Sequence, residues 1–252
     1  MIWNWYHTFV SLMLVNATIH AQDCHLVAST LQFQELQSYD VPIIIKGGCS
    51  TWPALQKWTL DFLRDVLQEV SFPQGYGIDS ILSDPNSYIF SKIDPVSGFL
   101  ISTEQDNTKN TERHFQPLLD VDQFPFIKPD QDTLHHFLLI GGIGSGLCFH
   151  NHEQHAFNAL IKGSKKWYFY PPNVDTLVID PQGYPHWWRD DSAEGRYEFA
   201  NSILSRLEER PLECFQEIGD LLFVPKKWHH MVINQEKITI AVNAIKSRTT
   251  YF

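Results

Sequence analysis

Gly146-Leu147-Cys148-Phe149-His150-Asn151-His152 is answered some eighty positions later by Pro225-Lys226-Lys227-Trp228-His229-His230. Each stretch looks like part of a metal site on a β-scaffold, its histidines within or beside a strand-like run. Residues two apart on a strand share a face, so His150 and His152 are expected to project together, with Asn151 turned away. A third imidazole from the distal stretch completes one face of a metal ion and leaves other positions open. Adjacent strand residues face opposite ways, so only one of His229 and His230 can point inward. A lone His-x-His is a weak signal in a chain with 12 histidines. His7, His20, His25, His114, His135, His136, His155 and His186 have no evident partner and are left out of the constellation.

Working outward, short strand-like runs alternate with turn signals. Val41 to Lys46 is β-rich and closes on Gly47-Gly48. Thr59 is placed to cap a helix over Leu60 to Leu67. Ser87 to Phe90 and Phe137 to Ile140 read as strands, and Phe149 to Glu153 as another. Phe157 to Lys162 and Lys165 to Tyr170 read as a hairpin joined by a two-residue Gly163-Ser164 turn. Tyr197 to Glu209 has a helical pattern. Glu213 to Glu217, Leu221 to Val224 and Lys237 to Ile245 supply three more strands. The glycine-rich run Gly141 to Gly146 lacks both a following helix start and a P-loop lysine, so it reads as a turn. Many short strands with turns between them indicate a sandwich or barrel. The division expected is a segment before 22 that is removed, an α/β portion over 22–130, and a β-barrel core over 131–252.

Composition narrows the function classes. The formal net charge of −10, with no basic run, argues against a nucleic-acid surface. Thr8 to Val15 forms a short apolar segment before Ala17 and Ala21, which predicts a secretory leader over 1–21, although Met1 to His7 lacks Lys or Arg. That predicts the endoplasmic reticulum lumen or secretion, with no membrane span once the leader is gone. In an oxidising lumen Cys24, Cys49, Cys148 and Cys214 allow three pairings, with Cys24–Cys49 the local one. Strand parity puts Cys148 on the face of His150, as a core residue or a soft neighbour of the metal.

The two histidine stretches, together with Asn158 to Pro172 and Gly219-Asp220-Leu221-Leu222-Phe223-Val224-Pro225, resemble the core of a JmjC domain. Pro42 to Lys46 with Trp52-Pro53-Ala54 and Trp58 is similar to the entry region of small JmjC hydroxylases. The resemblance implies a mainly β fold, a double-stranded β-helix (a cupin-like jelly-roll barrel) with an N-terminal α/β addition. It implies Fe(II) and 2-oxoglutarate as cofactors and a protein substrate or partner in the secretory pathway. By the same resemblance His150 and His230 are metal ligands, and Lys165 pairs with the far carboxylate of 2-oxoglutarate. Asn158 and Asn243 line the cosubstrate pocket.

Two positions depart from the family pattern. His152 stands where an acidic ligand is usual, and Leu147 where many active members carry a Thr. Two histidines and a carboxylate around Fe(II) leave a charge of +1, whereas three neutral imidazoles leave +2. Imidazole serves Fe, Zn, Cu and Ni alike, so the exchange predicts altered metal preference, another divalent metal included. Glu153 points away from His152 and cannot replace the lost acid. Three readings follow: a 2-oxoglutarate-dependent protein hydroxylase, a degenerate pseudoenzyme that keeps the barrel as an interaction module, and a three-histidine dioxygenase without cosubstrate.

Overall fold

A computed structural model describes residues 25–27, 40–67, 78–84, 88–93, 100–102, 134–173, 192–204 and 210–246. The expected leader over 1–21, Cys24 and the polar stretch Thr103 to Arg113 lie outside them. The elements are β1 (His25–Val27), β2 (Ile43–Ile45), α1 (Ala54–Lys57), α2 (Leu60–Leu67), α3 (Ile78–Ser83), β3 (Tyr88–Ile93), β4 (Leu100–Ser102), β5 (Leu134–Gly141), β6 (Gly146–His150), β7 (Ala156–Lys162), β8 (Lys165–Tyr170), α4 (Ala193–Glu198), β9 (Leu212–Gln216), β10 (Leu221–Val224), β11 (His229–Asn234) and β12 (Thr239–Lys246). A π-helical turn, Phe199–Ile203, continues α4.

Two sheets face each other. The larger runs β1-β2-β10-β7-β12-β5-β3-β4 and the smaller β6-β11-β8-β9. All pairings are antiparallel except β1 with β2. The expected mainly β, double-stranded barrel is therefore what the chain builds. The segment before residue 130 contributes strands to the same large sheet, β2 against β10 and β3 against β5.

Alternation along each strand separates three apolar layers. Phe157, Ala159 and Ile161 of β7 face outward under the helices, against Trp52, Trp58 and Leu63. Ala156, Trp167, Phe169, Leu222, Val224 and Val232 face inward and fill part of the space between the sheets. Phe149, Tyr168, Tyr170 and Met231 face outward from the small sheet, beneath Phe199 and Leu204. Helix α2 forms where expected. Thr59 Oγ1 accepts from Phe62 N at 3.1 Å and caps it, and Arg64 ties it to Asp79 of α3 at 2.6 Å.

Four expectations need correction. Gly163-Ser164 is not a hairpin turn, because β7 belongs to the large sheet and β8 to the small one. The chain turns a corner there. Gly163 sits at φ +83°, and a Cβ on it would lie 2.5 Å from Ile238 O, so the following strand is led away from β7. Strand β11 was not read from sequence as an element, yet it is the centre of the small sheet beside β8 and β6. The helix expected over Tyr197 to Glu209 begins earlier, at Ala193, where Ser192 caps it by accepting from Gly195 N at 3.0 Å; residues 205–209 lie outside the described residues. Finally, Cys49 is a free, buried thiol and not half of a local bridge. Its Sγ faces Leu160 O and Asp220 O, at 3.8 and 3.4 Å. Cys214 is the disulfide-bonded one, with its partner outside the described residues.

The turn before β10 is held by Asp220, which is 2% exposed. Its carboxylate accepts from Gly47 N at 3.0 Å, Glu217 N at 3.0 Å and Lys46 Nζ at 2.7 Å. No helix among the described residues is long and apolar enough to cross a membrane.

Candidate functional site

His150 and His230 are cross-strand partners on β6 and β11. Between them the register slips, since Val232 pairs with Leu147, so β6 carries one residue more than β11 over this span. This is a β-bulge, and it re-aims a side chain. Leu147 packs with the inward layer while Phe149 packs outward. Simple alternation would have placed Leu147 and Phe149 together, and Cys148 with His150. The bulge breaks that parity, so the expected shared face of Cys148 and His150 does not follow. Cys148 is partly exposed and outside any disulfide, and it supplies its backbone carbonyl to the His150 ring.

The close approach of β6 to β11 depends on Gly146. A Cβ there would lie 1.9 Å from Val232 O. Past His150 the strand ends. His152 is on the connecting loop, and Lys227 N donates to its carbonyl at 2.6 Å. Lys227 is the one non-glycine with positive φ among the described residues, at +67°. Such a backbone costs about 1–2 kcal/mol and persists where the surroundings over-determine it.

The three imidazoles converge. One ligand atom from each of His150, His152 and His230 lies within 4.8 Å of the others. Ring centroids stand 4.2 Å apart for His150 and His230, 5.0 Å for His150 and His152, and 5.3 Å for His152 and His230. With metal–nitrogen distances of about 2.1 Å, small ring movements bring all three onto one ion. Two rings are already oriented. Nδ1 of His150 lies 2.8 Å from Cys148 O, and Nδ1 of His230 lies 2.9 Å from Trp228 O. A carbonyl accepts only, so each Nδ1 carries a proton, which leaves Nε2 as the atom that can face a metal. Burial holds His230 well below the usual imidazole range, with His150 adding to the effect, and lowers His152 to about 4 for the same reasons. Neutral imidazoles are what a metal needs. His229 faces away, where Asn151 Nδ2 donates to its Nδ1 at 3.2 Å. Glu153 is exposed and faces Lys227 at 3.7 Å.

Below the histidines the lumen is polar. Lys165 is 3% exposed. Its Nζ donates to Asn234 Oδ1 at 2.9 Å and lies 5.9 Å from the Trp167 ring. Burial lowers its pKa to about 7, and no charged group among the described residues offsets it. Trp167 bridges the two regions, with its ring centroid 6.2 Å from that of His230. Its Nε1 donates to Gln216 Oε1 at 2.9 Å, and Gln216 in turn donates to Asn158 O. Asn158 and Asn243 are paired across β7 and β12, and Asn158 Nδ2 donates to Asn243 Oδ1. Asn158 Oδ1 is buried without a partner among the described residues. Turning both amides over keeps their mutual bond and presents a donor to the lumen instead.

The six residues singled out from sequence are thus brought into one barrel interior. Two polar members were missed. Asn234 lay on the unread strand β11, and Gln216 on an edge strand with no motif around it. The donor set suits a small dianion beside a metal: a lysine with no counter-charge among the described residues, two amides, and room for further ligands on the metal. Leu147, in the inward layer, adds no hydrogen bond there.

The model of the cupin-like domain matches residues 29–244. An arginine-specific demethylase from Arabidopsis thaliana, JMJ22, is 30% identical over 216 residues, which is 80% of this chain and 41% of that protein. The 2-oxoglutarate and iron-dependent oxygenase JMJD4 of Danio rerio is 35% identical over 111 residues, covering 42% of this chain and 25% of that one. JmjC domain-containing protein 8 of Mus musculus is 34% identical over 95 residues, covering 38% and 31%. The chain spans less than half the length of these relatives. The likeness to JmjC domain-containing protein 8 extends over a smaller part of the chain than that to the Arabidopsis demethylase. With the barrel, the converging imidazoles and a match across most of its length, the chain belongs to the cupin-like domain family and is related to the JmjC demethylases and hydroxylases.

Proposed function

We propose that this chain is a JmjC-type oxygenase domain that uses a divalent metal, Fe(II) in the active form, and 2-oxoglutarate to oxidise a protein side chain in the secretory pathway. His150, His152 and His230 hold the metal. Lys165 takes the far carboxylate of 2-oxoglutarate, and Asn158 and Asn243 line its flank. Dioxygen would be the oxidant, activated at the bound metal as 2-oxoglutarate gives up two electrons and loses CO2; the chain binds, orients and dries the site. Trp167 and Phe169 wall it with apolar surface, so the lysine charge acts at low dielectric.

The observation that carries this reading is Lys165, a buried cation whose described partner is a neutral amide, in the same lumen as three converging imidazoles. A charge held this way is costly without an anion. The relative named as a 2-oxoglutarate and iron-dependent oxygenase supports the cofactor pair. The disulfide at Cys214 supports an oxidising compartment.

Anaerobic titration with Fe(II) and 2-oxoglutarate tests the reading. The expected result is a visible metal-to-ligand charge-transfer band that disappears in Lys165→Met. No band, together with no consumption of 2-oxoglutarate in air, removes the oxygenase assignment. A second reading is favoured by His152 and Leu147: a barrel that retains metal and cosubstrate but serves as an interaction module. Turnover gained in His152→Asp, from a silent wild type, would select it.

A further inference from the structure

Asn234 stands at the hub of a buried chain of hydrogen bonds that no part of the metal site uses. Its Oδ1 accepts from Lys165 Nζ at 2.9 Å. Its Nδ2 donates to Ser145 Oγ at 2.8 Å, and Ser145 Oγ donates to Gly142 O at 2.7 Å. Its backbone is fixed as well: Asn234 N donates to Ser145 O, and Gly144 N donates to Asn234 O, both at 2.8 Å. Asn234 is 5% exposed and Ser145 is 0% exposed. The amide is therefore clamped from three sides by the glycine-rich turn, with one oxygen left to face the lysine.

We propose that Asn234 is a positioning residue for the anion subsite: it holds the Lys165 ammonium at the floor of the lumen with a neutral acceptor, which leaves the positive charge uncompensated for an incoming dicarboxylate. The inference rests on the cosubstrate reading above and adds to it the device that keeps the lysine available. A carboxylate at position 234 would fit the same space and hydrogen-bond the same ammonium. It would also neutralise it, and an anion would then have to displace an internal partner. The amide gives the geometry of an ion pair without the charge. No charged side chain acts on Lys165 from the described elements around it. Gln216 of β9 stands opposite it in register, Asn234 comes from β11, and Trp167 comes from its own strand. Burial alone moves its pKa, to about 7.

The test uses the chain loaded with Zn(II), which is redox-silent, and measures 2-oxoglutarate binding by calorimetry from pH 6.5 to 8.5. In the wild type, affinity is expected to fall as pH rises, approaching about 10-fold per unit above the lysine's titration. Asn234→Asp is expected to bind at least about 10-fold more weakly at pH 6.5, with a nearly flat pH profile, because the new carboxylate keeps the lysine protonated. Its Zn(II) affinity, measured against a chelating dye, should remain that of the wild type. Asn234→Ser keeps a neutral acceptor and is expected to retain the wild-type pH slope. Wild-type affinity and slope in Asn234→Asp would overturn the inference while leaving the cosubstrate reading standing. Equal losses with equal slopes in the Asp and Ser variants would reduce Asn234 to packing and overturn it as well. If the wild-type chain binds no 2-oxoglutarate, both the inference and the reading beneath it fall.

Discussion

Replacing Lys165 with methionine should change stability with a sign that depends on pH. The ammonium is 3% exposed, and burial lowers its pKa from 10.5 to about 7. Each unit is worth about 1.36 kcal/mol, so carrying the charge costs the metal-free fold about 5 kcal/mol at low pH. The folded pKa lies below the unfolded one. Below about pH 7 both states hold the proton and the penalty is full. Between about 7 and 10.5 the unfolded chain binds more protons, stability rises with pH, and the penalty fades. Methionine removes the charge at similar volume but leaves Asn234 Oδ1 unpaired, which costs about 1–3 kcal/mol. Lys165→Met should therefore be more stable than wild type by about 2–4 kcal/mol at pH 6, and less stable by up to about 2 kcal/mol at pH 10, where about 1 kcal/mol of the penalty remains. Urea unfolding of both proteins at pH 6, 8 and 10, without metal or cosubstrate, reads the difference directly, because the other ionisations cancel. A difference that stays constant across this range would mean that Lys165 keeps its ordinary pKa. The picture of an unneutralised buried cation would then be wrong.

Three other perturbations probe the frame around the site. Gly146→Ala puts a Cβ 1.9 Å from Val232 O and must push β6 off β11; a loss above about 3 kcal/mol in urea, with weakened metal retention, is expected, and a fully stable variant would contradict the close approach. Asp220→Ala frees Gly47 N and Glu217 N and leaves Lys46 with Glu217 alone; a loss of about 2–4 kcal/mol should appear as a lower Tm. Burial pushes the Cys49 thiol up to about 12. Iodoacetamide at pH 8 should therefore modify partly exposed Cys148 well before Cys49, as read by peptide mass spectrometry, and early labelling of Cys49 would contradict its packing.

What was legible in the sequence was whatever depends on local alternation or on a quoted motif. Leu60–Leu67, Lys165–Tyr170 and Leu221–Val224 were read at their observed bounds, because capping, aromatic alternation and a Gly-Asp turn mark them. Metal candidates His150 and His230 were found through spacing and resemblance. Pairing partners were not legible. Gly163-Ser164 has hairpin chemistry, yet which sheet a strand joins is settled by distant neighbours, here β11 for β8. The bulge in β6 was invisible as well, since an extra residue shows only against its partner strand. His152 was assigned to a strand face by counting, whereas its position comes from a turn seventy-five residues further along, through Lys227 N. Asn234 carried no signal because β11 opens on His229-His230, where attention to His230 as a ligand masked the strand.

Strand β12 comes last among the described strands in the chain but lies inside the large sheet, with β7 on one side and β5 on the other. During synthesis the earlier strands must wait, with β5 and β7 each showing an unsatisfied edge, until this stretch leaves the ribosome. Vectorial folding from the N-terminus is thereby ruled out for the barrel, and such waiting edges invite aggregation. A nascent chain released short of residue 239 would keep all three histidines and still have no closed barrel in which to use them. A site built on the closed barrel can therefore take up its metal only once β12 has paired.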